Sequence, residues 1–155
     1  MKAEVVIIMG SKSDLEFSSR IAKALESFGI RCVMRVASAH KTPEKVLEIV
    51  REYKEAVFIT VAGRSNALSG FVDANTTSPV IACPPYSSKF SGMDVLSSLR
   101  MPSGVSPLVV LEPENAALAA AKILALKNEG LRKKVEEYQE KKRMEIEEAD
   151  REVFH

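Results

Sequence analysis

Along the first 126 residues, short apolar runs alternate with longer stretches in which apolar residues return every three or four positions. Val5-Val6-Ile7-Ile8-Met9 is an unbroken apolar run rich in β-branched residues, the mark of a strand covered on both faces. Ser13 to Phe28 reads as a helix, with Ser13 and Glu16 spaced as a capping box and Gly29 as its stop. Cys32 to Val36 is a second strand. Thr42-Pro43 opens a second helix, with a capping residue and proline at the first helical position. Val57 to Ala62 is a third strand, followed by a short Ala/Leu-rich helix reaching about Asn75. Val80 to Cys83 is a fourth strand. A Pro- and Ser-rich loop, Pro84 to Gly92, leads into a helix ending near Leu99. Leu108 to Leu111 is a fifth strand, and Asn115 to Lys127 an alanine-rich helix.

Strands alternating with helices at this spacing predict βαβ units and a parallel sheet. Right-handed crossovers place helices on both faces. Five strands predict an α/β, three-layer, doubly wound, flavodoxin-like sheet. Ligands of such sheets bind at the carboxyl ends of the strands. The loops after the first four strands are therefore where chemistry is expected.

The end of the chain follows another pattern. From Lys127 to His155, 17 of 29 residues are charged, so only a narrow apolar stripe remains. Leu131, Val135, Tyr138, Ile146, Ala149 and Val153 form it at helical spacing. The division expected is a catalytic domain over 1–127 and a helical extension over 128–155. That helix either packs on its own domain or meets another subunit.

Composition narrows the field. The formal charge is +1, which argues against a nucleic-acid partner. No apolar stretch reaches the roughly 18–20 residues of a membrane helix. Met1-Lys2-Ala3-Glu4 runs straight into a strand without a secretory leader, so a cytoplasmic protein is expected. Cys32 and Cys83 sit in apolar segments and lack the spacing of a zinc or redox pair, so they read as buried free thiols. No metal site is expected.

The first loop is Gly10-Ser11-Lys12-Ser13-Asp14. Glycine, two hydroxyls and a helix N-terminus suit a phosphate, and Asp14 suits ribose hydroxyls. The same residues also fit a plain turn with an N-cap. The second loop, Ala37 to Pro43, holds the one internal histidine, His40, beside Lys41 and Ser38. Histidine exchanges protons near neutral pH, and lysine offers a point charge to phosphate. The third loop runs from Ala62 to Gly70. Its Arg64 is either a surface cation or a residue that orients a carboxylate or a neighbouring loop. The fourth loop reads as a flexible cover, with Pro84 and Pro85 at its base and a cis bond as one option. There is no Walker motif and no Gly-x-Gly-x-x-Gly, so nucleotide-fuelled ligation is not supported. What remains is a phosphate-plus-ribose pocket with one histidine.

Five motifs in order then resemble the PurE family of purine biosynthesis over about residues 4 to 127. They are Met-Gly-Ser-x-Ser-Asp at 9–14, Ser-Ala-His at 38–40, Ala-Gly at 62–63, Pro-Val-Ile at 79–81, and Ser-Leu-x-Met-Pro-x-Gly-Val at 98–105. Lys41, Ala62 to Leu68 without a second histidine, Cys83-Pro84-Pro85 and Ser97 to Arg100 are similar to its class II branch. That branch takes CO2 directly onto 5-aminoimidazole ribonucleotide. The resemblance implies His40 as the catalytic base. It implies Ser11, Ser38 and Lys41 at the phosphate, Asp14 at the ribose, and Gly63 and Ser65 at the base and carboxylate end. It further implies a homo-octamer, the nucleotide and CO2 as partners, and no cofactor. Two alternatives stay open: the family's N5-carboxyaminoimidazole ribonucleotide mutase, and a non-catalytic module binding a phosphorylated ligand or flavin. A flavin site would call on Tyr86 and Phe90, the aromatics of the active-end loops.

Overall fold

The computed structural model describes residues 2–154, so His155, included in the expected terminal helix, lies outside them. Five parallel strands form one sheet in the order β2-β1-β3-β4-β5. They are β1 (Val5–Met9), β2 (Cys32–Val36), β3 (Val57–Val61), β4 (Val80–Ala82) and β5 (Leu108–Val109). The helices are α1 (Leu15–Ser27), α2 (Pro43–Glu52), α3 (Ala67–Ala74), α4 (Pro113–Ala125) and α5 (Glu129–Val153). This is the doubly wound, flavodoxin-like arrangement expected from the alternation.

β1 and β3 are buried along their whole length because helices cover both faces. Alternate side chains separate into two cores. Val5, Ile7, Met9, Ile59 and Val61 meet α1, α4 and the start of α5. Val6, Ile8 and Phe58 meet α2 and α3. β2 is an edge strand, and its Met34 and Val36 remain exposed.

Several local expectations are corrected. The Ser13–Glu16 capping box does not form. A 3-10 turn, Lys12–Asp14, precedes α1, and Ser11 caps that turn by accepting from the Ser13 N–H. Thr42 does sit at the N-cap of α2, but its hydroxyl is turned to Ser38 rather than to the helix. The expected helix before Leu99 is a 3-10 turn, Met93–Ser98. β5 stops at Val109, where its pairing with Ala82 ends. α4 begins two residues early, because Pro113 fits the first helical position without losing a bonded N–H. Among the described residues no peptide bond is cis, Pro84 and Pro85 included. Cys32 is only partly buried, whereas Cys83 is buried, and both are free.

α1 ends as expected. Gly29 takes φ +74, its N–H bonds Glu26, and the Ile30 N–H reaches back to Leu25. The first half of α5 then packs there. Lys134 Nζ donates to the Phe28 carbonyl at 3.1 Å, and Tyr138 lies 5.3 Å from the Phe28 ring. The second half leaves its own domain: Met144, Ile146 and Val153 are 60%, 72% and 81% exposed.

Candidate active site

The parallel sheet sends the loops after β1, β2, β3 and β4 to one end. There they enclose a pocket of about 460 Å³. Ser11 and Asp14 come from the first loop, Ser38, His40 and Lys41 from the second, and Gly63 and Ser65 from the third. The seven residues to which the family resemblance gives a role therefore line the same cavity. Arg64, Ala67, Leu68, Pro85 and Ser87 join them. A roomier groove of about 960 Å³ follows distal α5, but one helix alone lines it. A single helix cannot enclose a small molecule.

The loops are pre-shaped by hydrogen bonds. Ser11 Oγ accepts from the Ser13 amide at 3.2 Å and from Ser13 Oγ at 2.9 Å. The Ser11 hydroxyl proton is thus left to donate outward. Ser38 is arranged alike: its Oγ accepts the Lys41 N–H at 3.2 Å, while its own N–H is held by Thr42 Oγ1 at 2.9 Å. The Thr42 N–H closes the turn onto the Ser38 carbonyl at 2.8 Å. His40 and Lys41 project from this closed turn and are exposed. An anion between the two loops would meet two hydroxyl donors and one ammonium. The α1 N-terminus contributes less than the sequence suggested, because the 3-10 turn sets its first residue back to Leu15.

Asp14 is half-buried, and burial pushes its carboxyl above the ordinary 3.8, against a smaller opposing effect of the Ser11 backbone. Cys83, behind the site, is pushed up to about 12, chiefly by burial and then by Glu112 and Glu114. A thiol held there stays protonated and is not a nucleophile.

Gly63 has a steric reason to be glycine. A Cβ there would lie 2.4 Å from the Pro85 carbonyl oxygen. Gly10 is different, since a Cβ would make only ordinary contacts with the protein. Asn66 is buried at the N-cap of α3. It accepts from the Ser69 N–H and donates to Ser69 Oγ and Ser98 Oγ. Arg64 adopts φ +58, the left-handed region that few non-glycine residues occupy. Pro85 and Ser87 are the lining residues that sequence reasoning missed, although the loop carrying them was read as a cover. Tyr86 and Phe90 do not line the pocket, which removes the aromatic contacts a flavin would use. Among the described residues no group of three or more His, Cys, Asp or Glu could hold a metal, and no helix is long and apolar enough to cross a membrane.

Fold and pocket together define a flavodoxin-like α/β protein with a histidine and anion donors at the carboxyl edge of its sheet. The sequence profile of AIR carboxylase matches residues 4–145, and the chain belongs to that family, the PurE family. The match extends past residue 127, where the resemblance was expected to end, into α5. A phosphoribosylaminoimidazole carboxylase from Archaeoglobus fulgidus is 69% identical, over 99% of this chain and 85% of its own. Another from Treponema denticola is 49% identical over 97% of each chain. An N5-carboxyaminoimidazole ribonucleotide mutase from Methanocaldococcus jannaschii is 45% identical over 96% of each. The crystal structure of Treponema denticola PurE superposes with a TM-score of 0.95, at 48% identity over 97% of this chain and 98% of that one.

Proposed function

We propose that this chain is a phosphoribosylaminoimidazole carboxylase, an ATP-independent carboxy-lyase of purine biosynthesis. It adds CO2 reversibly to carbon 4 of 5-aminoimidazole ribonucleotide. One observation carries the reading: His40 shares a pocket of about 460 Å³ with the hydroxyls and ammonium that suit a phosphate. That volume falls within the range of small-ligand sites, and a mononucleotide is such a ligand.

Ser11, Ser38 and Lys41 hold the phosphate, and Asp14 the ribose. The ring then lies toward Gly63 and Ser65. Carbon 4 is enamine-like, and its electron pair attacks the carbon of CO2. A C–C bond forms, and one C=O π pair moves to oxygen, giving a carboxylate. Carbon 4 now carries both the carboxylate and its original hydrogen. His40 takes that proton, and the C–H pair returns to the ring to restore aromaticity. In reverse, His40 protonates carbon 4 before CO2 leaves. Neither direction needs ATP or biotin, because holding the reactants together supplies much of the acceleration.

The domain division at 127/128 is proposed on the same footing, with distal α5 as an intersubunit arm of a homo-octamer. The enzyme is placed in the cytoplasm by the same reading.

The test is product formation from 5-aminoimidazole ribonucleotide with CO2/bicarbonate and no ATP. N5-carboxyaminoimidazole ribonucleotide is run in parallel, because the mutase-named relative favours it as a second reading. Product from the first substrate alone supports the carboxylase; product from the second alone makes this a mutase. Absence of product from both returns the non-catalytic module. His40→Asn should keep nucleotide binding and lose on the order of 10²–10⁴-fold or more in turnover. Retained turnover would sink its role as the base.

A further inference from the structure

We infer that Asp94 is a positioning residue for this reaction, fastening the loop after β3 to the loop after β4 so that both present a fixed CO2 end of the pocket. The inference rests on the carboxylase reading and adds a residue outside the pocket lining.

Asp94 sits on the 3-10 turn Met93–Ser98, half-buried behind the cavity. Its Oδ2 accepts the Arg64 N–H at 3.0 Å. Both of its oxygens accept the Ser87 N–H at 2.9 Å. One carboxylate thus grips the backbone of two pocket-lining loops. Bonds from N–H to an ionised acceptor are stronger than neutral ones. The same turn grips a second time. Ser97 Oγ accepts the Asn66 N–H at 3.0 Å, and its single proton goes to the Asp94 carbonyl at 2.8 Å or the Arg64 carbonyl at 3.2 Å.

Two further features show how closely the loops are drawn together. Gly63 lies so near the Pro85 carbonyl that no side chain fits between them. Arg64 is held at φ +58, a conformation that persists only where its surroundings impose it. The surroundings here are the bonds from Asp94 and Ser97 to its N–H and carbonyl.

The grip is local. Asp94 touches the loops after β3 and β4, whereas Ser11, Asp14, Ser38 and Lys41 belong to the loops after β1 and β2. Loosening Asp94 should therefore disturb the CO2 end and spare the phosphate and ribose contacts that carry most of the nucleotide binding. Asparagine has nearly the same shape but one accepting oxygen in place of two. With that oxygen in the Oδ2 place both N–H groups keep an acceptor, but an uncharged one. The amide NH2 in the Oδ1 place meets the Ser87 N–H donor against donor, so the grip on both loops weakens.

The experiment is steady-state kinetics of wild type and Asp94→Asn, with nucleotide and CO2 varied separately. The variant should lose on the order of 10- to 100-fold in kcat, as small misplacements near reacting groups do. KM for CO2 should rise, and KM for the nucleotide should hold within about twofold, since the phosphate contacts are untouched. A smaller folded fraction would lower kcat but leave both KM values alone, so the CO2 term separates positioning from stability. Unchanged kcat and KM for CO2 would overturn the inference, as would KM values rising together. If Asp94→Asn does not fold, Ser97→Ala keeps the carboxylate and frees only the second grip. It should raise KM for CO2 in the same direction, and no rise would also overturn the inference. Wild type inactive on 5-aminoimidazole ribonucleotide would fell the carboxylase reading, and this inference with it. An active wild type beside an unaffected variant fells the inference alone.

Discussion

Asp14 carries a conflict between stability and function. Burial disfavours its carboxylate, so the folded chain holds the proton more tightly than the unfolded chain does. The stability linked to this group is fully present below the ordinary value of 3.8. It is lost as pH rises through the raised folded value. At pH 7 the charged form is therefore a cost to the fold, one that the proposed ribose contact would explain. Asp14→Asn should melt higher than wild type at pH 7, with the difference shrinking as pH falls into the carboxyl range. Its KM for the nucleotide should rise. Melting curves at several pH values check this, and a difference independent of pH would rule out burial as the cause. That its neighbours would share one pocket was legible for a simple reason. A histidine, a lysine and small hydroxyl residues clustered after predicted strands, and strand ends in this fold converge. The capping box at Ser13–Glu16 was misread because Ser11, two residues earlier, takes the Ser13 N–H first. Thr42 was half right: it stands at the N-cap, but its hydroxyl serves the Ser38 turn.

Among the elements, α4 depends on smallness. Ala116, Ala117, Ala120 and Ala121 are fully buried. They let α4 lie close against α1 and the sheet, where larger side chains would hold it away. Ala120→Leu should overpack this face and cost about 1–3 kcal/mol. Urea unfolding measures it, and an unshifted midpoint would mean that α4 can move outward freely. The strands read cleanly from sequence because β1 and β3 are buried on both sides. Edges read less well. β5 was expected to reach Leu111, yet only Leu108 and Val109 pair with β4. Strand length at an edge depends on what the neighbouring strand offers, and β4 itself is only three residues long.

At the scale of the whole molecule, α5 divides in two. Leu131 and Val135 are buried against the domain, and Tyr138 meets Phe28. Beyond them, Lys142–Glu145, Arg143–Glu140 and Arg151–Glu148 pair along the helix surface. Exposed pairs of this kind add little to stability. The exposed Met144, Ile146 and Val153 instead suit contact with another subunit. Removing residues 140–155 should leave the domain folded and break the proposed octamer. Sedimentation of both forms decides it: a wild-type monomer, or an octamer surviving the truncation, would reject the arm.

The sequence by itself determined the alternation of elements, the parallel sheet and the loops that hold the chemistry. Burial period, capping residues and loop composition are local, so they can be read along the chain. It also carried the family, through five motifs in order. The tertiary structure alone decided how the loops are fastened to one another. Asp94 binds backbone N–H groups at Ser87 and Arg64, the second of them 30 positions away. Gly63 meets the carbonyl of Pro85. Nearly every residue carries the same backbone N–H and carbonyl, so the sequence does not mark which of them a distant side chain will hold. Only the packed sheet, which sets β3 beside β4, brings those partners together.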